Sequence, residues 1–336
     1  MKKYNVAIVG ATGAVGQELI KIMEERKFPY KNIKLLASER SAGSEISFCG
    51  SKYTVEETTE HSFAGIDLAL FAGGPASKAF GRLAQKKGVV VIDNSSTFRL
   101  DEDVPLVVPE VNSHALKEHN GLIANPNCST IIMAVALYPL YKFSKIKRII
   151  VSTYQAVSGA GKEGLEELEL QNNQILRGEK TAPKTFPYQI ATNLIPHIDV
   201  WVEENYTKEE MKMVFETQKI LNDYDIGITA TTVRVPVYRS HSESIYIETE
   251  EPITPETARE LLTKSKGVIV QDDPLKNLYP MPLFTSDTDE VYIGRIRKDL
   301  YSKNGLNLWV VSDQIRKGAA TNTVQIAEEL LKNNLI

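Results

Sequence analysis

The chain has 336 residues, of which 42% are hydrophobic and 24% charged, with a formal net charge of -4 and a pI near 5.9. That length favours two domains, and the composition excludes a disordered or fibrous chain. The mild negative charge leaves no footprint for nucleic acid, and no run is long enough to span a membrane.

Met1-Lys2-Lys3-Tyr4 runs directly into a strand pattern without an apolar leader, and the two cysteines, Cys49 and Cys128, are too few for a disulfide framework. A reducing cytoplasm is the expected setting. Five histidines and two cysteines show no metal-ligand spacing, so no metal is expected. Cys49, in Ser47-Phe48-Cys49-Gly50, reads as a structural residue where a strand meets a turn.

Residues 4–9 form a short apolar run closed by Gly10, and Val15, Leu19, Ile22 and Met23 follow at helical spacing over 14–26. Apolar runs at 33–37, 67–71 and 89–92, with a helical stretch from Ala76 to Lys86, continue the alternation. Strands alternating with helices predict a Rossmann-type, doubly wound parallel sheet with right-handed crossovers.

Between the first strand and helix lies Gly10-Ala11-Thr12-Gly13-Ala14-Val15-Gly16. Glycines at this spacing permit a tight turn, backbone approach to a phosphate and close helix packing, so the loop reads as a dinucleotide site. The second strand ends in Ser38-Glu39-Arg40-Ser41. Ser38 stands where NAD-binding chains usually place an acid, and Arg40 and Ser41 supply charge and hydrogen bonds for a 2′-phosphate. Glu39 turned inward would favour NAD instead; NADP is the expected cofactor.

Asn125-Pro126-Asn127-Cys128-Ser129-Thr130 precedes the apolar run Ile131 to Leu137, which reads as a buried helix. A sulfur at a helix start faces unpaired N–H groups and the positive end of the dipole, which favours thiolate. The same cysteine reads equally well as a small buried hydrophobe.

Beyond it, β-rich runs at 146–156, 228–237, 243–249, 291–297 and 307–313 predict a mixed, largely antiparallel sheet in an α+β second domain. Helical stretches at 160–177, 207–222 and 255–264 separate them. Residues 178–200, with three prolines, read as a long excursion. A last amphipathic helix, about 318–333, has no following strand and is expected to pack on the first domain. The expected division is 1–127 completed by about 315–336, and 128–314.

A cofactor domain followed by a cysteine at a helix start points to hydride transfer through a thiohemiacetal or thioester. His241 lies in a polar cluster between two strand runs, where an isolated histidine is more often a surface residue. Arg234, inside a β-rich run, either faces solvent or is held for a bidentate carboxylate contact. Arg99 follows a predicted parallel strand on the side where such sheets bind ligands. Glu216 and Lys219, three apart on a helix, read as an exposed ion pair or as site charges. Gln155 and Ser158-Gly159-Ala160-Gly161 end a strand and open a helix.

Together these pieces resemble the aspartate-semialdehyde dehydrogenases over nearly the whole chain. The resemblance rests on Gly10–Gly16, Asn125–Thr130, Arg234 with His241, Ile293-Gly294-Arg295-Ile296-Arg297-Lys298-Asp299, and Lys317 to Thr323. It implies that Cys128 is an acyl-thioester nucleophile and His241 the acid/base. It implies that Gln155 orients the substrate, that Arg234 grips its carboxylate, and that Glu216 lies in the same site. Arg99, Lys219 and Asn127 become phosphate ligands. Thr12, Gly13, Ala14, Val15, Arg40, Ser41, Ser158, Gly159 and Gln314 become NADP contacts.

The implied reaction is reversible NADPH-dependent reductive dephosphorylation of L-4-aspartyl phosphate to L-aspartate 4-semialdehyde. It serves lysine, methionine, threonine and diaminopimelate synthesis, and the implied assembly is a homodimer or a dimer of dimers. N-acetylglutamyl-phosphate reduction is the rival enzyme reading, and a non-catalytic NADP-binding sensor the rival from another class.

Overall fold

The computed structural model describes residues 3–336; Met1 and Lys2, on which the expectation of no apolar leader partly rests, lie outside the described residues. The chain forms two compact units, Met1–Asn127 with Ala319–Ile336, and Cys128–Gly318.

The first unit runs β1 (Tyr4–Val9), α1 (Ala14–Glu25), β2 (Tyr30–Ala37), β3 (Glu45–Phe48), β4 (Ser51–Thr54), β5 (Glu56–Glu57), β6 (Leu68–Phe71), α2 (Gly74–Lys86), β7 (Val90–Asp93), α3 (Pro109–Asn112) and β8 (Leu122–Ala124). Its main sheet has the order β5-β2-β1-β6-β7-β8 with every pairing parallel. Strand order reverses between β1 and β6, so the connections after them diverge and leave a crevice at their carboxyl ends. Val6, Ile8, Leu35 and Leu70 share one core with Leu19, Ile22 and Met23 of α1.

The sequence reading placed Cys49 where a strand meets a turn but did not anticipate the return strand β4. Cys49 (φ +48°) and Gly50 (φ +75°) form a two-residue turn whose left-handed backbone suits a tight hairpin. The hairpin's Phe48 packs against Tyr30, with ring centroids 5.0 Å apart.

The second unit begins with α4 (Cys128–Phe143) and continues through β9 (Ile146–Gln155), α5 (Lys162–Leu176), α6 (Lys208–Leu221), β10 (Gly227–Arg234), β11 (His241–Thr249), α7 (Pro255–Thr263), β12 (Val268–Val270), α8 (Pro282–Thr285), β13 (Val291–Lys298) and β14 (Gly305–Ser312). The sheet order is β10-β9-β11-β14-β13-β12. The two outer pairs are parallel and the three inner ones antiparallel. From Ser129 to Leu137 α4 is buried at every position, as expected of a helix that is apolar on all sides.

The long excursion builds a core of its own. Phe186, Ile190, Ala191 and Ile195 pack on Val157 and Leu168. Side chains of α5 satisfy its backbone: Gln171 Oε1 accepts from Ile190 N at 2.9 Å and Ala191 N at 3.1 Å, and Glu167 accepts from Lys184 N and Thr185 N. Ile195 then exchanges both backbone hydrogen bonds with Arg234, at 2.8 and 3.0 Å.

The chain returns to the first unit through α9 (Thr321–Lys332), which packs on α1 and adds Val324, Ile326, Ala327 and Leu330 to that core. The preceding turn, Arg316–Ala320, is a π-helix rather than the start of a regular helix. A Cβ on Gly318 would lie 2.9 Å from the Cβ of Cys128, so this wide turn carries a residue with no side chain where the backbone passes the cysteine.

In the glycine loop Gly10 adopts φ +85°, and Gly10 N and Ala11 N both donate to Leu36 O. A Cβ on Gly16 would stand 2.1 Å from Gly10 O, whereas one on Gly13 would make ordinary contact at 3.5 Å. Gly16→Ala is therefore expected to cost about 1–3 kcal/mol through forced backbone movement, and Gly13→Ala close to nothing. Thermal unfolding of both variants checks this; equal melting temperatures would contradict the packing role of Gly16.

Candidate active site

In the first unit the carboxyl ends of β1, β2 and β6 line a cavity of about 450 Å³. Its walls include Gly10, Thr12, Gly13, Ser38, Arg40 and Ser41, six of the residues read from sequence as cofactor contacts. Ala37, the last residue of β2, is followed at once by a single 3₁₀ turn, Glu39–Ser41, so Arg40 and Ser41 stand at the strand end. Gly73, Gly74 and Pro75, which the sequence reading did not single out, form the opposite turn and open α2. The glycine cradle at the N-terminus of α1 fits the pyrophosphate of a dinucleotide.

Arg99 and Asn127, both buried, also belong to the first unit. Arg99 Nε donates to Asn125 O at 3.0 Å and its Nη2 to Asn94 O at 2.9 Å. Asn322 Nδ2, from the 317–323 motif, donates to Asn125 Oδ1 at 2.7 Å and Val107 O at 3.0 Å. That motif therefore braces the segment leading to Cys128.

In the second unit the sheet register aligns the chemistry. Arg234 on β10 pairs with Gln155 on β9, and the antiparallel register of β9 with β11 brings His241 beside Gln155. Arg234, Gln155 and His241 thus form one row at the ends of three neighbouring strands, all of them buried.

Each member is held. Arg234 Nη1 donates to Ala156 O at 2.7 Å, and its guanidinium lies 5.8 Å from the ring centre of Phe186, which the excursion delivers. Gln155 Nε2 donates to Ser129 Oγ at 2.5 Å, on the first turn of α4, and to Glu209 Oε1 at 3.1 Å, on the first turn of α6. Ala156 N donates to His241 Nδ1 at 3.1 Å. Because a backbone amide can only donate, Nδ1 must be the acceptor, and the neutral ring carries its proton on Nε2.

Burial, and secondarily the Arg234 charge, push the His241 pKa down to about 3. Burial also lowers Arg234, opposed by the charges of Glu209 and Cys128. The cysteine, at the first position of α4, is thus within electrostatic reach of the arginine.

The turn Val157–Ala160 covers the row. A Cβ on Gly159 would lie 2.9 Å from Arg234 Nη1 and 3.4 Å from the His241 ring, so a side chain there would displace both. Gln314 locks this turn to the histidine's strand: its Nε2 donates to Ser158 Oγ at 2.5 Å and its Oε1 accepts from Ser240 N at 2.9 Å. Ser240, buried and at φ +72°, sits in a strained backbone region immediately before His241.

The structure does not bring Glu216 and Lys219 to this row. It brings Glu209 and Lys212, which the sequence reading passed over. Lys212 Nζ pairs with Glu209 at 3.0 Å and Asp199 at 2.7 Å. Burial would lower its pKa, but the two carboxylates reverse that and raise it. Both pairs share the spacing E-x-x-K on α6 and stand seven residues apart. At 1.5 Å per residue, Glu216 and Lys219 lie about 10 and 15 Å along the axis from Glu209. Glu209 and Glu210 both look like first-turn acids completing a cap, and Glu210 does form a capping box with Thr207. Only its hydrogen bond from Gln155 on the facing strand places Glu209 beside the row.

Among the described residues no group of three or more His, Cys, Asp or Glu could hold a metal ion, and no helix is long and apolar enough to cross a membrane.

Comparison with known proteins identifies the family. A family model described as "Semialdehyde dehydrogenase, NAD binding domain" matches residues 5–119, and "Semialdehyde dehydrogenase, dimerisation domain" matches residues 137–317. The chain is 57% identical over 339 residues to aspartate-semialdehyde dehydrogenase of Aquifex aeolicus, with 99% of each chain covered. It is 52% identical over 341 residues to that of Bacillus subtilis, again with 99% of each covered. The crystal structure of aspartate semialdehyde dehydrogenase II from Vibrio cholerae complexed with ASA matches at TM-score 0.96 and 47% identity, over 99% of each chain. The chain belongs to the aspartate-semialdehyde dehydrogenase family.

Proposed function

We propose that the protein catalyses the reversible, NADPH-dependent reductive dephosphorylation of L-4-aspartyl phosphate to L-aspartate 4-semialdehyde. The observation that carries the reading is the buried row Arg234, Gln155, His241 with Glu209 beside it. A zwitterionic four-carbon substrate needs an arginine for its carboxylate and an acid for its ammonium, and Arg234 and Glu209 supply both within one cluster. A longer, N-acylated substrate has no ammonium for Glu209, which weighs against N-acetylglutamyl phosphate.

Cys128 is the nucleophile. The α4 N-terminus and the Arg234 charge support its thiolate. Attack on the acyl phosphate expels phosphate and leaves an acyl thioester on Sγ. Arg99, Asn127 and Lys212 are the proposed phosphate ligands, with Lys212 replacing Lys219. Glu209 likewise takes the substrate-binding place first given to Glu216.

Gly10 to Gly16, Ser38, Arg40, Ser41, Ser158, Gly159 and Gln314 are the proposed NADP contacts. The cofactor, when bound, supplies the hydride that reduces the thioester. His241 would donate a hydrogen bond through Nε2–H to the oxyanion that forms and keep its proton, so that breaking the C–S bond releases the aldehyde and returns the thiolate. With Nδ1 committed to Ala156 N–H, the resting ring is a hydrogen-bond donor through Nε2 and not the base that activates Cys128. A homodimer, or a dimer of dimers, in the cytoplasm and in the route to lysine, methionine, threonine and diaminopimelate completes the proposal.

Two measurements follow. In phosphate-dependent oxidation of aspartate semialdehyde with NADP, Lys212→Ala should raise the phosphate KM about tenfold or more, the loss expected for a charged hydrogen bond. Lys219→Ala should leave it within about twofold. The reverse ranking would return the phosphate site to Lys219.

The second concerns pH. An unfolded histidine titrates near 6.5, while folded His241 stays neutral to about 3. Below pH 6.5 the unfolded chain therefore gains a proton the folded one refuses, and stability falls as pH drops. At pH 5 the loss from this group is about 2 kcal/mol. The melting-temperature difference between wild type and His241→Gln should shrink between pH 7.5 and 5; a pH-independent difference would mean that folded His241 takes up its proton as readily as the unfolded chain does.

A further inference from the structure

One residue behind the catalytic row has no place in this chemistry. Glu243 lies two positions along β11 from His241, on the same face, with no exposure to solvent. The register places it between Thr153 on β9 and Val310 on β14, and the row continues to Thr232 on β10 and Ile293 on β13. All five are buried. They form the floor on which Arg234, Gln155 and His241 stand.

Among the described residues neither carboxyl oxygen of Glu243 has a hydrogen-bond partner, and the Thr153 hydroxyl opposite has none either. Directly opposed Cβ atoms on neighbouring antiparallel strands lie about 5 Å apart, so these orphaned groups stand side by side on one face of the sheet. A fully buried acid stranded in this way costs stability unless something satisfies it.

We propose that Glu243 and Thr153 form a closed water-binding site in the layer behind His241 and Gln155, which makes Glu243 a positioning residue for the catalytic histidine. Two carboxyl oxygens and one hydroxyl provide the two to four polar partners that an internal water takes. The acid works in its neutral form. Val151, Thr153 and Gln155 on β9 and Leu308, Val310 and Ser312 on β14 bring no titratable group to this face. His241 on its own strand is neutral. Cys128 at the start of α4, Arg234 on β10, and Glu209 and Glu210 on α6 are the charged or titratable groups above and beside it. None of them bonds to its carboxyl. Burial raises its pKa well above the usual carboxylate range. A neutral Glu243 also keeps a second negative charge away from Cys128, where it would oppose the thiolate.

The positioning role rests on His241 as the hydrogen-bond donor of the proposed reaction, whereas the water site does not, so the test reads them separately. Melting temperature, kcat and KM are measured from pH 5 to 8 for wild type, Glu243→Gln, Glu243→Leu, Thr153→Val and the Glu243→Leu/Thr153→Val double variant. An unfolded glutamate sheds its proton above about pH 4.3. The folded acid keeps it, so wild-type stability falls as pH rises. Glu243→Gln, which cannot ionise, should gain in melting temperature relative to wild type as pH rises from 5 to 8, with kcat within about twofold. A pH-independent offset overturns the neutral acid. The double variant should lose less stability than the two single changes summed, because each single change strands the other partner; additive losses overturn the shared water. Glu243→Leu should lower kcat about tenfold with KM unchanged, and wild-type kcat there overturns the positioning role. If Glu243→Leu does not fold, the Gln variant's pH dependence and the same kcat readout on Thr153→Val decide the question.

Discussion

The chemistry of the second unit depends on the register of a single strand. β9 runs parallel to β10 and antiparallel to β11. That placement brings Arg234, Gln155 and His241 to the same level although the last two stand 86 positions apart in sequence. A slip of one residue would turn each side chain to the opposite face of the sheet. The row would then be lost even with every residue retained. Ala156, just past the end of β9, secures the alignment twice: its N–H fixes the histidine tautomer and its C=O anchors the arginine.

Around that row the surrounding elements act as clamps. The excursion between α5 and α6 costs many residues without regular structure, yet it supplies the backbone partner of Arg234 and the ring beside its guanidinium. Gln314 joins the covering turn to the strained residue ahead of His241. Glycine at 159 keeps that covering turn close without touching what it covers. A site built in this way is preorganised: its donors and charges are fixed before any substrate arrives, which is the condition under which such groups stabilise a transition state most.

Much of this was legible in the sequence, for identifiable reasons. The doubly wound half announces itself because buried parallel strands are apolar runs and the glycine loop has a fixed spacing. Cys128 was visible because a polar stop precedes an apolar helix. The strand runs carrying Arg234 and His241 were visible too, but not their alignment, since register is a property of paired strands. Glu209 was hidden for another reason. Its acid sits where helix caps normally carry acids, and an identical E-x-x-K pair follows one heptad later on the same helix. The β3–β4 hairpin was missed because its return strand, Ser51-Lys52-Tyr53-Thr54, is too short and polar to show a period.

The central claim is that Cys128 carries the acyl group on which the row acts. Intact-protein mass spectrometry of the enzyme with aspartate semialdehyde and NADP, in phosphate-free buffer, tests it directly. An aspartyl adduct confined to Cys128, discharged when phosphate is added and absent in Cys128→Ser, is the predicted result. An adduct on Cys49, or continued turnover by Cys128→Ser, would contradict the account.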